Sequence, residues 1–109
     1  MALKLNVFQT VTHVATTGAV GIYTAPVGYT GVVLLAQAAN VGSQTRTISF
    51  SHKRSSTTTE IVKDFPIEAS DTANLLPGKL VLETGDSLEV SASAVSDIKF
   101  IGSILETLN

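Results

Sequence analysis

The strongest constraint on the fold is a two-residue hydrophobic period that recurs between turn signals along the chain. Leu80 and Leu82 alternate with Lys79, Val81 and Glu83. Leu88, Val90 and Ala92 alternate with Ser87, Glu89, Ser91 and Ser93, and Arg46, Ile48 and Phe50 with Thr45, Thr47, Ser49 and Ser51. Side chains along a strand point to opposite faces in turn, so each stretch offers one face to a core and keeps one polar face. The frequent Val, Ile and Thr suit a pleated surface.

Turn residues cut this pattern into strands over 20–25, 31–40, 44–52, 60–65, 79–83, 87–93 and 98–107, with a first strand somewhere in 3–15. Residues 53–59 read as a hairpin tip. Pro66 has no N–H for a ladder, so it marks an edge or an exit. Residues 68–77 form a longer connection with room for one helical turn after Ser70. The expected fold is an all-β antiparallel β-sandwich of about eight short strands, jelly-roll or immunoglobulin-like, with the strand order open. Residues 1–109 make one β-sandwich domain, in which 1–15 is an N-terminal arm or an edge strand.

Two strands are apolar on both faces. In 31–40, Val32, Leu34, Ala36 and Ala38 alternate with Val33, Leu35, Gln37 and Ala39. In 98–107, Ile98, Phe100 and Ile104 share one face, while Ile101 and Leu105 lie on the other. A two-layer sandwich buries one face per strand. The second face then meets a partner subunit, or is covered by the N-terminal segment or by the 68–77 connection. The segment 1–7 also alternates, with Leu3, Leu5 and Val7 on one side, and is expected to pair as a strand within the chain or with a neighbour. The candidate interface residues are therefore Leu3, Leu5, Val7, Val33, Leu35, Ile101 and Leu105. A symmetric homo-oligomer, with a trimer as the first expectation, follows from these faces.

Composition narrows the function. Seven basic and nine acidic residues give a formal charge of −2, and Lys4, Arg46, Lys53, Arg54, Lys63, Lys79 and Lys99 are scattered. No basic stripe for nucleic acid forms from them. Charged residues are 15% of the chain, against roughly 25% in ordinary soluble domains. Ser, Thr and Asn fill the polar positions instead, and a surface poor in Lys and Glu suits subunit contacts. No cysteine is present, so neither a disulfide nor a thiolate metal site is expected. No signal peptide is read in MALKLNVF, and no apolar run approaches the roughly 20 residues of a membrane span.

Tested for chemistry, the chain yields no catalytic residue, no cofactor and no metal site. Gly85-Asp86-Ser87-Leu88 spells the block that names the GDSL hydrolases, but it lies late in the chain between two strands. His13 and His52 both precede it, so no downstream base follows the serine. A β-turn with Gly and Asp in their usual roles accounts for the same residues. The two histidines stand apart, unlike zinc ligands, and are expected at the surface or an interface. Glu83, Asp86 and Glu89 cluster around one turn, without the acid-rich twelve-residue loop of a dedicated calcium site. A carbohydrate-binding sandwich would present aromatic platforms, whereas Tyr23, Tyr29 and the four Phe mostly fall at core-like positions.

Two stretches carry a resemblance. Ile22-Tyr23-Thr24-Ala25-Pro26-Val27-Gly28 leads into an apolar strand ending at Asn40. Gly78-Lys79-Leu80-Val81-Leu82-Glu83-Thr84-Gly85-Asp86-Ser87-Leu88 is followed by a last strand running from Ile98 to Glu106. Their order and spacing resemble small β-sandwich structural proteins of tailed bacteriophages, from Ile22 onward; the segment before Ile22 has no counterpart in that pattern. The resemblance implies a virion component, made in the bacterial cytoplasm, that acts by protein–protein contact. Its partners would be the major capsid protein or tail proteins, with no nucleic acid and no membrane. A free-standing sandwich favours a capsid decoration (cement) subunit over a tail, neck or fibre-base component.

Overall fold

Among the described residues nine strands run in chain order: β1 (Asn6–Val14), β2 (Val20–Thr24), β3 (Tyr29–Asn40), β4 (Arg46–Arg54), β5 (Thr57–Ile67), β6 (Thr72–Asn74), β7 (Leu80–Leu82), β8 (Ser87–Ala92) and β9 (Ile98–Leu108). The computed structural model describes residues 5–109, and no helix occurs among them. The expected helical turn after Ser70 is replaced by β6, whose backbone pairs with β3 at Gln37, Ala38 and Ala39. A three-residue strand satisfies backbone groups on the open side of β3 that an isolated turn would leave bare.

The pairing has a simple logic. β4 and β5 form a hairpin around Ser55 and Ser56, with Ser55 in the left-handed region at φ 54°. Outside this hairpin, β3 pairs with β6 and β7, β2 with β8, and β1 with β9, all antiparallel. The chain is thus one long nested ribbon. Rolling that ribbon brings β9 beside β3 and β8 beside β4. Two sheets result, β1-β9-β3-β6 with β7 also on β3, and β2-β8-β4-β5. This is the jelly-roll arrangement rather than the immunoglobulin-like one.

The sheets enclose one core. Val33, Ala36, Ala38, Phe100, Ile98 and Ile104 face Ile48, Phe50, Leu88 and Val90 across the sandwich. The rings of Phe50 and Phe100 meet at 5.4 Å between centroids, tilted by 32°. Gly102 makes room for this pair: a Cβ there would lie 3.1 Å from the Phe100 ring and 3.2 Å from the Leu35 carbonyl oxygen.

The expected edge role of Pro66 holds in part. It lies on β5, an edge strand, but β5 continues past it to Ile67. The N-terminal strand is intrachain from Asn6 onward, where Asn6 pairs with Thr107 and Val7 with Glu106. Leu3 lies outside the described residues.

Candidate protein interface

The outer face of the first sheet carries an apolar band. Residues paired across strands point to the same side of a sheet, so the register identifies the rows. Phe8 pairs with Leu105, Leu105 with Val32, and Val32 with Val81. This single row crosses β1, β9, β3 and β7 and spans roughly 15 Å at ordinary strand spacing. Its ends are open: Phe8 is 74% exposed and Val81 56%. Thr10, Ser103 and Leu35 form the next row, then Thr12, Ile101 and Gln37, then Val14, Lys99 and Ala39. Lys99 is the one charged residue in these rows.

The other outer face is different in kind. On the second sheet Ser49 pairs with Ser91, Ser51 with Glu89, and Lys53 with Ser87. Lys53 Nζ lies 3.5 Å from Glu89, and a shallow polar depression is lined by Ser49, Ser51, Glu60, Lys63 and Asp64 among others. One outer face of the sandwich is therefore polar, and the other carries an apolar band. The two segments that were candidates for covering the apolar face do not lie over it. The N-terminal strand and the 68–77 connection both enter the plane of the same sheet, as β1 and β6.

The predicted interface residues divide by face. Leu35, Ile101 and Leu105 lie on the outer face, Ile101 being 40% exposed. Val33 does not; it is buried in the core opposite Ile104. The cause is a register shift between Val33 and Leu35, where Leu34 is the extra residue. Before the shift the odd residues of β3 face inward, and after it the even ones do. Val7 pairs with inward-facing Glu106 and sits on the core side, while Leu5 is an exposed residue just before β1. Phe8 and Val32 take the places assigned to Val7 and Val33. Sequence reading missed both, because each is one residue out of phase with the alternation used.

Polar side chains close the ends of the sandwich. Asp86, in the β7–β8 turn, is buried and accepts from Arg54 Nε at 2.8 Å, Arg54 Nη2 at 2.7 Å, His52 Nε2 at 3.0 Å and the Glu83 backbone N–H at 3.0 Å. The Arg54 bonds hold the Asp86 carboxyl well below the usual range, against the opposing effect of burial. Arg54 also donates to Glu83 at 3.0 Å. Glu106 is buried at the inward end of β9, accepting from the Tyr23 hydroxyl of the opposite sheet and from Gln9 Nε2 at 2.8 Å. Burial, helped by Glu106, pushes the Tyr23 hydroxyl up. At another loop, Arg46 Nε binds Asp97 at 2.7 Å.

Ser87 and His52 project to opposite faces of their sheet, because His52 pairs with buried Leu88 and Ser87 with Lys53. The Ser87 hydroxyl lies 3.1 Å from that of Thr24. His13 is half-buried: it faces inward opposite Phe100, and its Nε2 is buried without a hydrogen-bond partner. Of the four phenylalanines, Phe50 and Phe100 are core, whereas Phe8 and Phe65 are exposed on different sheets, on β1 and β5.

No protein-family model matches the chain, and no curated protein sequence matches it. Solved structures do. A chain of the Bacillus endospore appendages, described as disulfide-linked pili, aligns at TM-score 0.52 and 18% identity, over 99% of this chain and 93% of that one. A chain of the T13 IBDV viral particle aligns at TM-score 0.59 and 10% identity, over 97% of this chain but 32% of its own length. A chain of the acid-stable capsid of Helicobacter pylori bacteriophage KHP30 aligns at TM-score 0.57 and 10% identity, over 96% of this chain and 89% of that one. At these identities the likeness is one of fold.

Proposed function

We propose that this protein is a structural component of a phage virion, a capsid decoration subunit that docks on the assembled shell through its apolar sheet face. The observation that carries the reading is the contrast between the two outer faces: the Phe8–Leu105–Val32–Val81 row against the Ser, Glu and Lys pairs opposite. Jelly rolls are a common capsid architecture, and the fold shared with viral and phage capsid chains supports a virion role. Binding only the assembled shell stabilises the assembled state by mass action. No catalysis is involved, and the partners are the shell protein and further copies of this chain.

The test is binding of purified protein to shells that lack it, followed by a density map of the decorated particle. Val81→Glu places a charge in the apolar row at a half-exposed site and is expected to abolish binding. Ser49→Glu on the polar face is expected to leave binding intact. Density for this chain at the tail, neck or fibre base would replace the decoration role with a tail role. A wild-type protein that binds no part of the particle would overturn the virion reading itself.

A further inference from the structure

Among the described residues four strand edges bound the two sheets, and three are blunted. β6 and β7 are three residues each. β2 has five residues and a register shift between Gly21 and Tyr23. β5 is long but carries Pro66, the charges of Glu60, Lys63 and Asp64, a left-handed Asp64 at φ 49°, and two register shifts against β4. Such features are how proteins keep edges from pairing. β1 has none of them. Its nine residues, Asn-Val-Phe-Gln-Thr-Val-Thr-His-Val, contain no Lys, Arg, Asp, Glu, Pro or Gly, and its register against β9 is unbroken.

The free hydrogen-bonding groups of this edge can be assigned. Leu108 N–H donates to Leu5, and Ala15 N–H donates to Ile98, both at 2.8 Å. In an antiparallel pair the bonded residues alternate. The odd residues of β1 therefore bond to β9, while Asn6, Phe8, Thr10, Thr12 and Val14 direct their N–H and C=O groups away from the sheet.

We infer that β1 is a self-association strand, pairing antiparallel with β1 of a second copy about a two-fold axis at Thr10. The occupant follows by elimination, since no other edge among the described residues offers a straight ladder of matching length. The register follows from the free groups. With Thr10 on the axis, Phe8 faces Thr12 of the second copy and Asn6 faces Val14, so every outward-directed residue meets another. About ten main-chain hydrogen bonds form in this way. No charged residue meets another, because β1 has none. Exposed Phe8 is brought into cross-strand contact with a threonine. The contact is isologous and closes on itself at two copies. It joins the two first sheets edge to edge, which leaves the apolar outer face open and doubles its width. It does not depend on the presence of a shell.

Sedimentation of the full chain with a charge-swap pair tests this. Thr10 is exposed on the outer face, so Thr10→Lys and Thr10→Glu should both fold. Each variant alone places like charges opposite each other on the axis. The expected result is a dissociation constant raised about tenfold or more, with the sedimenting mass halved. An equimolar mixture is expected to recover the wild-type mass as a mixed pair. Hydrogen exchange gives a second readout: wild-type amides of Phe8, Thr10, Thr12 and Val14 should be protected, and each lone variant should expose these alone while Val7 and Val11 remain protected. Wild-type protein that is monomeric at millimolar concentration overturns the inference. So do variants that keep the wild-type mass, or that separate and fail to recombine.

Discussion

Replacing Tyr23 by phenylalanine removes one oxygen atom and tests what joins the two sheets at the β9 end. Tyr23 comes from β2 in one sheet, and its hydroxyl donates to Glu106 of β9 in the other. Glu106 is 4% exposed, so water can replace the lost donor only poorly. After Tyr23→Phe the buried carboxylate keeps the bond from Gln9. A hydrogen bond to a charged group contributes about 1.5–3 kcal/mol, so a loss of about 2 kcal/mol is expected. With an unfolding entropy of roughly 2.1 cal/mol/K per residue over 109 residues, that loss lowers Tm by about 9 °C. Glu106→Gln keeps an acceptor for the hydroxyl and is expected to cost about 1 kcal/mol or less. Thermal melts of wild type, both single variants and the double variant form a cycle, in which the coupling should be about 1 kcal/mol. The alkaline limb adds an independent check. The folded state holds the Tyr23 proton above its usual range, so this stability is full below about pH 10 and is lost as pH rises beyond it. Tyr23→Phe should flatten that limb. A Tm drop under about 2 °C, or a cycle with no coupling, would refute the idea that this bond ties the sheets.

Asp86 titrates below the usual carboxylate range because of its Arg54 bonds, so its contribution is full above about pH 4 and is lost as pH falls below that; Asp86→Asn should flatten the acid limb of a stability–pH curve. Gly42→Ala should lower Tm measurably, because the new Cβ would lie 2.6 Å from the Asp97 carboxyl carbon and push that group off Arg46. Ser87→Ala should leave no difference in ester hydrolysis from wild type and cost a few tenths of a kcal/mol at most, since its hydroxyl meets only Thr24 at an exposed site; wild-type hydrolysis that disappears in the variant would defeat the non-catalytic reading.

Much of the fold was legible in local pattern. The two-residue period located the strands, and the core positions Ile48, Phe50, Leu82, Leu88 and Val90 are those the alternation singled out. The doubly apolar character of the third and last strands pointed to a second apolar surface, and Leu35, Ile101 and Leu105 do lie on the outer face of their sheet. These signals are readable because facing alternates with every residue, independently of what lies alongside.

Lateral neighbours were decided only in three dimensions. Nothing local to β3 or β9 states that they lie side by side, yet that pairing merges their second faces into one band. The choice of jelly roll over immunoglobulin-like order arises from the rolling of a nested ribbon whose outermost strands, β1 and β9, stand at opposite ends of the chain. One bulge at Leu34 reversed the facing of half of β3, sending Val33 inward and leaving Val32 outside. A period-two pattern cannot reveal such a shift, because both phases of that strand are apolar. The Glu106–Tyr23 and Asp86–Arg54 ties were invisible for the same reason: their members meet across loops and sheets, where side-chain chemistry acts only after the backbone has been placed.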